Sequence, residues 1–145
     1  MERFDEIIRH CCENISEIEQ SVMVIIVEYK NGVGVADVMA PFSKLNNCSD
    51  ETREKIVDQL AIESIKRGLP ISVALVMADS ESLVIMSGNG VTSEKTRIPR
   101  CGEQLVLDDM ERGSAESDAL IHRFWRGIWE ATRMINPSYG NPKNN

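Results

Sequence analysis

Residues 71–86 read ISVALVMADSESLVIM. The run 71–78 is almost continuously apolar and rich in branched side chains. Asp79, Ser80 and Glu81 interrupt it, and residues 83–86 resume it. Two short apolar runs around a polar break form a buried β-hairpin, because the break supplies turn chemistry and each run has strand length. A sheet with buried strands needs helices to cover it.

Working outward, residues 21–30 predict a second buried strand. Asn31-Gly32 is a hairpin turn signal, since both positions accept positive φ. Residues 33–39 are the weaker return strand, loosened by Gly34 and Asp37 and ended by Pro41. In residues 3–18, Phe4, Ile7, Ile8, Cys11, Cys12, Ile15 and Ile18 recur at helical spacing in one apolar arc. Residues 50–67 predict a second helix, capped by Ser49 or Asp50, carrying Lys66 and Arg67 in its last turn and ending before Gly68.

The last helix is the strongest segment. Ser114 or Ser117 caps it and Asn136-Pro137 stops it. Its apolar arc includes Ile121, Phe124, Trp125, Ile128 and Trp129, and is wider than one sheet contact needs. Residues 87–102 contain three glycines, Pro99 and scattered hydroxyls, and read as a long loop. Residues 103–112 hold a short helix or strand. The expected fold is α+β, a two-layer sandwich in which helices cover an antiparallel or mixed sheet, in the order α-β-β-α-β-β-α. The first and last helices are expected to share a face. Residues 1–137 form the domain, and 138–145 a flexible tail. Element order, small size and acidity resemble bacterial secretion chaperones at the level of outline, without a shared motif.

The chain has 145 residues and a formal net charge of −7. That length supports a core without disulfides or metal. The acidic start lacks the basic and apolar regions of a signal peptide, and no apolar run approaches a membrane span. With four cysteines and no Cys-x-x-Cys spacing, a reducing, cytoplasmic setting is expected.

Net acidity argues against direct nucleic-acid binding. The charge is unevenly distributed, however. Residues 101–118 carry six acidic groups and one basic group, whereas Lys95, Arg97 and Arg100 cluster just before them.

Catalytic signatures are absent: there is no phosphate-binding loop, no His-Glu-x-x-His and no Gly-x-Ser-x-Gly. His10 and His122 sit on polar helix faces, and adjacent His10 and Cys11 point about 100° apart. Neither a metal nor a cofactor is expected.

Three functions remain. The leading one is a non-enzymatic protein-interaction module, adaptor or chaperone-like. It is expected to be homodimeric through the last helix, with Ile121, Trp125, Arg126 and Trp129 at the interface. The second is a small phosphate-ligand enzyme or nucleotide sensor. Glycine-bearing loop amides and Ser93, Lys95, Arg97 and Arg100 would hold an anion, and Cys101 would be activated by Arg100. The third is a nucleic-acid-mimicking inhibitor, which requires Glu13, Glu17, Asp108, Asp109 and Glu111 on one acidic face.

Overall fold

Successive side chains of a strand point to opposite faces, so a strand apolar at every position must be covered twice. The computed structural model describes residues 2–30, 37–39, 49–114 and 119–135. Among them lie helices α1 (Glu2–Glu13), α2 (Ile15–Gln20), α3 (Asp50–Arg67) and α4 (Ala119–Ile135). The strands are β1 (Val24–Tyr29), β2 (Asp37–Met39), β3 (Pro70–Ala78), β4 (Ser82–Gly88), β5 (Ser93–Cys101), β6 (Gln104–Leu105) and β7 (Glu111–Ser114). They form one antiparallel sheet in the order β2-β1-β3-β4-β5-β6, with β7 also paired to β5.

The protein is α+β, as its sequence predicts, but the layers number three rather than two. Ile25, Val27, Val73, Leu75 and Met86 enter a core with α3 and α4. The alternating residues Val24, Ile26, Ala74, Val76 and Ile85 enter a second core with α1 and α2. Each large side chain removed from water contributes roughly 1.5–3 kcal/mol, so the near-continuous apolar strands draw stability from both sides. The last helix therefore shares its face with α3 and not with the first helix.

The hairpin of residues 71–86 forms as expected. The Asp79 carboxylate accepts from the backbone N–H of Glu81 at 2.8 Å and of Ser82 at 2.9 Å, which sets the turn. The Ser49 hydroxyl accepts from Thr52 N–H at 3.2 Å and caps α3. The first helix breaks at Asn14, whose side-chain amide donates to the His10 carbonyl at 2.8 Å. The break starts a second short helix, and Ile15 and Ile18 still reach the same core as Cys11.

The expected long loop is mostly strand. Residues 93–101 form β5, so the order gains a strand after the second hairpin. Its pattern is period two: Thr96 and Ile98 are buried, while Lys95 and Arg97 are exposed. The expected Asn31-Gly32 turn, the strand start at residues 33–36, Pro41, Cys48, the Ser117 cap, the Asn136-Pro137 stop and the 138–145 tail lie outside the described residues. No helix among the described residues is long and apolar enough to cross a membrane.

Candidate functional site

Helix α4 presents different sides to α3, the sheet and solvent. Ile121, Phe124 and Ile128 face the sheet and are buried. Gly127 meets Ala61 of α3, and Arg123 holds α3 through Asp58, with Nε at 2.8 Å and Nη2 at 2.7 Å. The hydrogen bond to Asp58 raises the Arg123 pKa further above its ordinary value, so the clasp stays charged.

The two tryptophans, one turn apart, separate. Trp125 is 7% exposed, with its ring edge-on to Phe124 at 5.6 Å between centroids. Trp129 is 55% exposed. Of the four residues expected at an interface, Ile121 and Trp125 are used in the intrachain core, while Trp129 and Arg126 face solvent.

The β4–β5 turn packs against this side of α4. A Cβ at Gly90 would lie 3.5 Å from Trp125 and 3.7 Å from Trp129, so the turn backbone runs along both indoles. Gly90 has φ +90°, a conformation that suits glycine. Asn89 Oδ1 accepts from Val91 N–H and Thr92 N–H, each at 2.9 Å, and fixes the turn. The turn holds Val91 outward at 90% exposure beside the α4 flank.

Strand parity places the basic side chains. Lys95 pairs with Met86 and Arg97 with Val84. Directly opposed residues project to the same face, and Met86 and Val84 pack into the α3–α4 core. Ser93, Lys95 and Arg97 therefore share the face that carries α4.

Arg100 belongs to the opposite parity. Its side chain is 5% exposed, lies 3.3 Å from a Glu19 carboxylate oxygen, and donates to the carbonyls of Asp79 and Gly102. It ties β5 to α2 and to the hairpin turn, and does not converge with Lys95 and Arg97.

The amide cradle expected for a phosphate is also missing. Residues 94–97 pair with β4 on one side and β7 on the other, and Asn89 occupies the two turn amides. Lys95 and Arg97 instead form a linear strip, about 6.6 Å apart along the strand.

The remaining candidates disperse. Glu13 and Glu17 lie on the α1–α2 helices, whereas Glu111 pairs with Arg97 and projects to the α4 side. The acidic residues required for nucleic-acid mimicry thus occupy both faces. His10 and His122 lie in helices on opposite sides of the sheet. Cys11 is buried, and desolvation pushes its thiol pKa up to about 12, with Cys12 adding to the rise. Cys12 and Cys101 are exposed free thiols. Among the described residues no group of three or more His, Cys, Asp or Glu is placed to hold a metal ion.

What emerges is a flank built from Trp129, the Val91 turn and one side of β5. Sequence reasoning missed Val91, because an isolated valine in a glycine-rich stretch carries no periodic signal. The Asn89-Gly90 pair is the turn signature that would have located the hairpin. No family model, curated protein or solved structure matches the chain.

Proposed function

We propose that the protein is a non-enzymatic interaction module, adaptor or chaperone-like, that docks a partner polypeptide on the Trp129 flank of α4. The exposed indole carries this reading. Leu120, Ile121, Phe124, Trp125 and Ile128 of α4 are used in the core, yet Trp129 stands half in water beside the turn that carries exposed Val91. Covering the exposed half of an indole is worth on the order of 2 kcal/mol, and tryptophan is enriched among residues that dominate binding. The dispersed histidines and thiols, and the amides consumed in strand pairing, give an enzymatic reading less support. Exposed free Cys12 and Cys101 suit a reducing compartment such as the cytoplasm.

A photo-crosslinking amino acid at position 129, with position 17 on the other side of the sheet as control, tests the reading in cells. A discrete polypeptide adduct from position 129 alone is expected. An adduct at twice the chain mass identifies a second copy, and any other mass a different protein. No adduct, or the same adducts from both positions, overturns the docking reading.

A further inference from the structure

The Trp129 flank differs in sign from the chain that bears it. Arg126, Trp129 and Arg133 are spaced i, i+3 and i+7, so they form one stripe along α4, and all three are exposed. Lys95 and Arg97 project from the sheet on the same side of the molecule, also exposed. One carboxylate, Glu111, lies opposite Arg97. Exposed Glu130 borders the stripe, four residues after Arg126 and three before Arg133. Among the described residues, four cations thus face two carboxylates, Glu111 and Glu130, on a protein of net charge −7.

We propose that this face binds an acidic polypeptide segment with an aromatic or aliphatic anchor. The anchor covers Trp129 and Val91, and carboxylates meet Lys95, Arg97, Arg126 and Arg133. The proposal rests on the docking reading above and names the chemistry of its partner.

Three features favour this occupant. The two strand cations repeat at about 6.6 Å, the spacing of alternate residues in an extended chain. A second copy docked symmetrically through the same face would set one cation-rich patch against another, a like-charge arrangement that costs affinity. A nucleic acid would meet long-range repulsion from the remaining acidic surface.

Selection of a phage-displayed random peptide library on the native protein tests the proposal. The Lys95→Glu/Arg97→Glu variant serves as a parallel target. The wild-type pool should be enriched in Asp and Glu around an aromatic or aliphatic residue. A synthetic peptide from that pool should bind at least about tenfold more weakly to the variant, a loss of roughly 1.4 kcal/mol. Replacing its carboxylates by amides, or raising the salt, should weaken it similarly.

Arg126→Glu/Arg133→Glu, on the helix side, repeats the test if the strand variant loses its native circular dichroism. A pool without acidic enrichment, binding indifferent to both charge reversals, or equal binding of a single-stranded oligonucleotide overturns the proposal. So does a cross-link from position 129 that yields only a second copy; in that case docking stands and the acidic partner falls. Absence of any cross-link removes both.

Discussion

Arg97 and Arg100 show how three positions of separation on a strand change a residue's task. Odd and even positions face opposite sides, so Arg97 reaches the α4 flank while Arg100 is drawn into contact with Glu19. A sequence cluster of basic residues becomes one surface strip and one structural tie. Cys11 makes a residue-scale prediction. Its thiol is raised from 9.0 to about 12 in the folded protein. Above the unfolded value the unfolded chain has lost a proton that the folded chain keeps. Stability supplied by the protonated thiol is therefore complete below pH 9.0 and falls between 9.0 and about 12, by up to roughly 1.4 kcal/mol per pH unit. Urea unfolding of wild type and Cys11→Ala across this window should show the excess alkaline loss in wild type alone. In the native protein, iodoacetamide should label Cys12 and Cys101 and leave Cys11 unmodified, as peptide mapping would show.

Elements are joined here at a few close approaches. A Cβ added at Gly127 would lie 2.8 Å from Ala61 Cβ, an atom with no rotamer to retreat into. Gly127→Ala gains about 1 kcal/mol of helix propensity. The overpacking cost of about 1–3 kcal/mol is expected to outweigh it. Chemical denaturation should therefore show a net loss, and Ala61→Gly in the same chain should recover part of it. Equal stability of Gly127→Ala and wild type would mean that α3 and α4 can separate freely. The β4–β5 turn is the second junction. Gly90→Ala forces a side chain into positive φ against both indoles, at a cost of about 1–2 kcal/mol. It should also blue-shift or quench tryptophan emission differently from wild type, because Gly90 borders Trp129.

At the scale of the whole molecule, covering the sheet on both faces leaves Trp129 as the exposed large apolar side chain of α4 among the described residues. Trp129→Ser should leave the thermal midpoint within about 3 °C of wild type, since exposed substitutions usually change stability by less than about 0.5 kcal/mol. It should nevertheless abolish the position-specific docking described above. Much of this architecture was legible in the chain. The hairpin at 71–86, the α3 cap at Ser49, the buried thiol of Cys11 and the amphipathic last helix each follow from local periodicity or turn chemistry. The strand at 93–101 was not, because Thr96 and Ile98 are its fully buried members among charges and a proline. Its identity comes from pairing with β4 and β7, not from its own apolar content.

Local pattern thus accounts for the α+β class, the bounds of α3 and most of the buried faces, since propensity, capping and alternation act within a few residues. Which helices share a face, which tryptophan is buried, and which of Lys95, Arg97 and Arg100 stand together were decided by packing. These are relations between segments tens of residues apart. They depend on the parity of paired strands and on the space already filled by α3, and neither is encoded in the spacing of the residues concerned.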